Sequence, residues 1–388
     1  MKIAIPKERR AHEARVAASP ETVRKFVGLG VEVVVESGAG AGAEYTDAAF
    51  TDAGAAIAAD PAVTYADADV VLKVQRPLLA EEQPGVENEV ALMKQGAVLI
   101  TQMLPMQHRA VVEACASRGI TVIAMELMPR ITRAQSMDVL SSQANLAGYK
   151  AVLDATTEFG RAMPMMMTAA GTVAPARVFV LGVGVAGLQA IATARRLGAI
   201  VAATDVRAET EEQVHSLGAK FVRPAIEESG EGGGGYAREM SAEYMQAQTE
   251  LVHETLTRQD IAICTALVPG RKAPTLITEE MVHDMKPGSV IVDLAIEQGG
   301  NCAVSKAGEV VNCNGVRVIG HHNYPSRIAV DASALYAKNI FNFLSPHIDK
   351  DSKALVLDWE DETVSGTLLC RDGRMVHPLL AGEGTCNG

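Results

Sequence analysis

Short apolar runs rich in β-branched residues alternate along this chain with stretches whose apolar positions recur at helical spacing. That alternation predicts βαβ units and parallel sheets. In the first third the strand candidates are 2–5, 31–36, 70–75, 98–102 and 121–125. Between the first two, Ser19-Pro20-Glu21 opens a helix, with serine as N-cap and proline in the first turn. Val23, Phe26 and Val27 form its apolar face, and Gly28 and Gly30 end it. A helical pattern without interior proline covers 138–161 and reads as a connector between two lobes. A second strand series follows at 178–181, 200–204, 221–222, 261–266, 290–294 and 316–319. A helix over 332–344 leads back to the first lobe, and 354–358 with 367–376 reads as a hairpin turning at Arg371-Asp372-Gly373.

Composition narrows the class. A chain of 388 residues, 48% hydrophobic and 21% charged, is globular and long enough for two or three domains. A formal net charge of -12 with no basic stripe argues against a nucleic-acid partner. Six cysteines at 115, 264, 302, 313, 370 and 386 show no CxxC spacing and read as reduced thiols, several within apolar runs. Adjacent His321 and His322 point to different sides of a strand with no cysteine or carboxylate cluster beside them, so no metal is expected. Met163 and Met165–Met167 read as packing between lobes. The first residues carry no apolar signal region, and the longest uncharged stretch, 178–194, is interrupted by three glycines in a turn pattern, so no membrane span is expected.

That stretch holds the main chemical signal. In Gly182-Val183-Gly184-Val185-Ala186-Gly187 a strand precedes the first glycine and a helix opens after it. The first glycine permits the tight turn, the second lets backbone approach a pyrophosphate, and the third allows close helix–strand contact. The pyrophosphate would rest on the helix N-terminus. The next strand ends at Asp205, 18 residues past Gly187, where a carboxylate accepts bonds from an adenosine ribose and repels a 2′-phosphate. NAD(H) is therefore expected over NADP(H), although Arg207 two residues on could instead serve a phosphate. Val206, Ala266 and Leu267 complete the expected cofactor contacts. The fold expected is α/β, with two Rossmann-like parallel-sheet lobes flanking a cofactor cleft and joined by long helices. The N-terminal lobe takes 1–138 plus 327–388, and the NAD(H)-binding lobe 139–326.

Two further segments matter. The stretch from Met125 to Gln143 is dense in hydrogen-bonding groups where one lobe meets the other, a place cofactor sites favour. Arg130, Gln135, Asp138 and Ser141 could bind a carboxamide, a ribose or a carboxylate. Equally, Asp138 or Ser136 could cap a helix while Arg130 and Arg133 stay solvated. The four glycines at 232–235, followed by Tyr236, read as either a mobile lid or a plain surface insertion.

Several motifs together resemble domain I of proton-translocating NAD(P) transhydrogenase, close to its separate alpha-1 type subunit in some bacteria. They are Lys7-Glu8-Arg9 with Arg15-Val16-Ala17, Lys73-Val74-Gln75-Arg76-Pro77, the segment from Pro129 to Asp138, that from Met165 to Val173, the glycine turn, Gly234-Gly235-Tyr236, Lys286 to Asp293 and Asp361 to Gly366. The resemblance implies a homodimer, cytoplasmic and peripheral on the inner membrane through partner subunits, that binds NAD(H). It implies that Arg130, Gln135, Asp138 and Ser141 contact the nicotinamide and its ribose, and that Tyr236 rides a closing loop. Hydride would pass directly to NADP held by a separate NADP(H)-binding component, coupled to proton translocation through a membrane-spanning component. The sister family, alanine dehydrogenase, pairs an arginine and a lysine with a histidine acid/base. Arg15 and Lys73 stand at the matching positions, but the strand at 98–102 ends in Thr101-Gln102 without a histidine. Oxidising an amino acid needs a placed base, whereas hydride exchange between two nicotinamides needs approach, alignment and a dry site.

Overall fold

A computed structural model describes the chain except residues 84, 227, 229, 231–239, 268–270 and 381–388. Its strands in chain order are β1 Lys2–Ile5, β2 Glu32–Glu36, β3 Ala56–Ala58, β4 Val70–Leu72, β5 Val98–Thr101, β6 Thr121–Ala124, β7 Met166–Thr168, β8 Gly171–Val173 and β9 Arg177–Leu181. There follow β10 Ile200–Thr204, β11 Lys220–Phe221, β12 Ile261–Cys264, β13 Val290–Asp293, β14 Val310–Cys313, β15 Val316–Ile319, β16 Leu368–Arg371 and β17 Arg374–Met375. Two compact units divide the chain: Met1–Gln143 with Ser326–Gly388, and Ala144–Pro325.

The first unit holds the sheet β17-β16-β6-β5-β4-β1-β2-β3. All neighbours from β6 across to β3 are parallel, and the β16/β17 hairpin extends the sheet antiparallel to β6. Alternate side chains feed opposite faces. Ile3, Ile5, Val33, Val35 and Leu72 pack with Tyr336, Ile340 and Phe343 of the helix Ala329–Leu344. Ala4, Val71, Leu99 and Val122 pack with Val111, Val112 and Cys115 of the helix Arg109–Ser117. Both faces being covered explains the near-continuous apolar runs.

The second unit repeats the scheme as β11-β10-β9-β12-β13-β15-β14, parallel except for β14. Val178, Val180, Ile261 and Val292 pack with Ala151 and Ala155 of the connector helix Val139–Glu158 and with Ile191 of the helix Val185–Arg196. Phe179, Leu181 and Ala262 pack with Val252 and Leu256 of the helix Ala242–Leu256. In each sheet, chain order runs outward to one side and then restarts on the other. The switch lies between β1 and β4 in one unit and between β9 and β12 in the other, and beyond the carboxyl ends at such a switch open α/β sheets form a crevice.

Several expected elements shift. The strand expected over 70–75 ends at Leu72, because the Val74 amide donates to the Glu8 carboxylate. That over 261–266 ends at Cys264, because the Ala266 amide donates to the Asn301 side chain. The tail hairpin turns at Asp372 and Gly373, both at positive φ, but 354–358 takes no part in it; Leu355 forms only an isolated bridge with Ile348. Met163 is buried, whereas Met165, Met166 and Met167 lie exposed around the two-stranded ribbon β7/β8, which corrects the expectation that they are packed.

Candidate dinucleotide site

The glycine turn sits at the switch point of the second unit, between β9 and the helix Val185–Arg196. Gly182 has φ +96, and a β-carbon there would lie 2.7 Å from Thr265 Oγ1. A β-carbon on Gly187 would lie 2.0 Å from the Gly182 carbonyl oxygen. Both glycines are thus required by packing within the protein. Gly184 differs: its φ is -80 and a β-carbon would meet nothing within 4 Å. It is the N-cap of a 12-residue helix and supplies no side-chain acceptor to the first-turn N–H groups. Open space before an uncapped helix end fits a pyrophosphate. Gly148 of the connector helix supports the turn from below, since a β-carbon there would come within 2.0 Å of the Ala186 carbonyl oxygen.

The second strand end of the switch is held by a residue that sequence reasoning missed. Asn301, fully buried, accepts from the Ala266 amide at 3.0 Å and donates to the Ala266 carbonyl at 2.9 Å. Asp293 in turn accepts from the amides of Ala295, Asn301 and Cys302. Thr265 Oγ1 donates to the Gly182 carbonyl at 2.8 Å, tying β12 to the turn. Leu267 is exposed just beyond.

Asp205 stands at the end of β10, and its carboxylate accepts from the Val183 amide of the turn at 2.7 Å. Its other donors all come from Arg207: the amide and Nε at 2.9 Å on Oδ1, and Nη2 at 2.8 Å on Oδ2. Val206 accepts from the Gly230 amide. Beside Asp205, buried Gln248 donates to Thr204 Oγ1 at 2.9 Å while its own Oε1 has no hydrogen-bond partner. Burial and the nearby Asp205 charge push the Tyr244 hydroxyl above its ordinary range. Gln248 is thus a second residue missed, and only its helical spacing from Tyr244 in the sequence could have suggested a shared face. Tyr236 and its glycine run lie outside the described residues.

In the first unit, Asp138 accepts from the Ser141 amide at 2.9 Å and the Ser141 hydroxyl at 2.6 Å, so it caps the connector helix. Arg133 forms a two-pronged pair with Asp361 at 2.8 and 2.6 Å, which corrects the expectation of a solvated charge. Asn339 and Asn342 both donate to the Ser136 carbonyl. Arg130 and Gln135 stand exposed on this tethered segment. The structure therefore brings Asp138 and Ser141 into direct contact.

The switch-point crevice of the first unit is filled by its own charges. Buried Lys73 lies 3.2 Å from Glu8 and 3.1 Å from Glu89, and Tyr65 donates to Glu89 at 3.1 Å. Arg15 donates to Glu13 at 2.8 and 2.6 Å and to Gln143 at 2.9 Å. Burial pushes Glu13 up, but the Arg15 guanidinium and the bonds from Arg15 and Gln75 outweigh it and hold the carboxyl down at about 2. Burial is the larger effect on Glu8, which stays above its ordinary value despite Lys73.

Comparisons with known proteins agree with this architecture. Residues 4–147 match the family model "Alanine dehydrogenase/PNT, N-terminal domain", and 151–378 match "Alanine dehydrogenase/PNT, C-terminal domain". The chain is 63% identical over 386 residues to the first of the separately encoded pieces of the NAD(P) transhydrogenase alpha subunit of Rhodospirillum rubrum, covering 99% of this chain and 100% of that one. It is 32% identical to alanine dehydrogenase of Halomonas elongata, over 98% of this chain and 96% of the other. The crystal structure of transhydrogenase from Sinorhizobium meliloti superposes with a TM-score of 0.86 at 51% identity, covering 97% of this chain and all of that one. The chain belongs to the alanine dehydrogenase/transhydrogenase family, on the side of the NAD(P) transhydrogenase alpha subunits.

Proposed function

We propose that this chain is the NAD(H)-binding component of a proton-translocating NAD(P) transhydrogenase. The observation that carries the reading is Gly184, the one glycine of the turn that protein packing does not require, opening onto space before an uncapped helix. With a dinucleotide bound there, the nicotinamide supplies the hydride donor or acceptor. The protein's part is to bind and orient. The turn receives the pyrophosphate, Asp205 with Val206 and Arg207 receives the adenosine ribose, and Ala266 and Leu267 line the approach. Gln248 offers a buried carbonyl near the same end. Arg130, Gln135, Asp138 and Ser141 serve the nicotinamide end, and Tyr236 the closure.

The proposal extends to assembly. Hydride passes to NADP(H) on a separate component, with Re/Si stereospecificity and coupling to proton translocation through a membrane-spanning component. No helix among the described residues is long and apolar enough to cross a membrane, which supports attachment through partners at the cytoplasmic face. Exposed Met165–Met167 on a ribbon with no further strand beside it support a homodimer.

The alternative is a soluble amino-acid dehydrogenase of alanine dehydrogenase type. Against it stand Arg15 and Lys73, each already neutralised by carboxylates of its own unit, and Thr101-Gln102 with no histidine base. The test is an assay in two arms. Purified chain with NADH is given pyruvate and ammonium, then an NADP(H)-binding transhydrogenase component with NADPH and an NAD analogue. Turnover is expected only in the second arm. Pyruvate- and ammonium-dependent NADH oxidation by the chain alone would overturn the reading.

A further inference from the structure

A carboxylate offers about four lone-pair directions, and at Asp205 all four are taken. Two donors are backbone amides, Val183 at 2.7 Å and Arg207 at 2.9 Å, one to each oxygen. They belong to the turn and the strand end and fix where the carboxylate stands. The other two come from the Arg207 guanidinium as a fork, Nε on Oδ1 and Nη2 on Oδ2. A vicinal diol presents the same pattern, two adjacent donors for two carboxylate oxygens. The pair is largely shielded, with the Arg207 side chain 15% and the Asp205 side chain 7% exposed, so a diol cannot reach Asp205 while the fork is in place.

We infer that the Arg207 side chain stands in for the adenosine ribose diol on Asp205 and is displaced when the nucleotide binds, so that Arg207 sets the affinity for the diol. This rests on the reading that the chain binds NAD(H). Binding then exchanges two charge-assisted bonds for two others, while the amides of Val183 and Arg207 keep the carboxylate in register. Arg207 is an internal competitor, and its cost falls only on ligands that need Asp205.

The test is titration of NADH, AMP and 2′,3′-dideoxy-AMP against the full-length chain and its Arg207→Ala, Arg207→Gln and Arg207→Lys variants, each checked for native thermal unfolding. Removing the fork should tighten NADH and AMP by about tenfold. Lysine, a cation without a fork, should fall between wild type and alanine. The dideoxy nucleotide should bind all four proteins alike. NADH binding that is unchanged or weaker in the folded variants overturns the inference, as does an equal gain for the dideoxy nucleotide. A wild-type chain that binds no NADH overturns the parent reading instead, so the two failures are distinct.

Discussion

Gly182, Gly184 and Gly187 look equivalent in the sequence, but a methyl group would cost something different at each. At Gly187 it would be driven to 2.0 Å from a carbonyl oxygen, and at Gly182 it would meet both an adverse φ and the Thr265 hydroxyl. At Gly184 it would meet nothing within 4 Å. Gly187→Ala should therefore lose about 2 kcal/mol or more of unfolding free energy, since overpacking against rigid backbone finds little relief. Gly184→Ala should cost about 1 kcal/mol at most, as the change at a helix N-cap. Yet the second variant should lose most of its NADH affinity, because the methyl would stand where the pyrophosphate approaches. Urea unfolding and an NADH titration on both variants check this; Gly184→Ala with wild-type affinity would remove the ligand from its reason for being glycine.

At the scale of elements, the central strands are legible in the sequence because each is a local run of β-branched residues. The edge strands β3 and β14 are not. Ala56-Ile57-Ala58 has too few branched residues to announce itself, and Val310–Cys313 alternates partly buried and exposed positions only because it pairs antiparallel at the sheet edge. Strand ends fall short of the apolar run wherever a distant side chain captures the next amide, as Glu8 does at Val74 and Asn301 at Ala266. No local pattern encodes those partners. The polar segment at 130–141 is legible as polar but not as tethered, and the structure resolves part of its role as a helix cap. Asp138→Ala should cost about 1 kcal/mol through the lost cap, whereas Asp138→Asn keeps an acceptor for the Ser141 amide and should cost less. If Asp138 also serves the nicotinamide end, both variants should bind NADH about tenfold more weakly. Asp138→Asn binding like wild type would leave the residue as a cap and nothing more.

Over the whole molecule, two sheets share one strand order and differ in what occupies the switch point. In one unit it is a glycine turn beside open space; in the other it is Glu8, Glu13, Arg15, Lys73 and Glu89, brought together from distant stretches of chain. The first unit's stability should therefore be tied to acid titration. Glu13 has a folded pKa of about 2 against an ordinary 4.5. Its pairing thus contributes fully above about pH 4.5 and is lost as pH falls toward 2. The shift corresponds to about 3 kcal/mol. Glu8 works in the opposite sense: its raised pKa favours the folded state below the ordinary carboxyl value and loses that contribution as pH rises through the folded value, so it offsets part of the acid loss. In urea unfolding from pH 7 to pH 2, wild type should weaken through the window from 4.5 downward. Glu13→Gln keeps a hydrogen-bond acceptor for Arg15 but cannot titrate, so it should start less stable at pH 7 and follow a flatter curve through the same window. Parallel curves for the two proteins would mean that the acid sensitivity lies elsewhere.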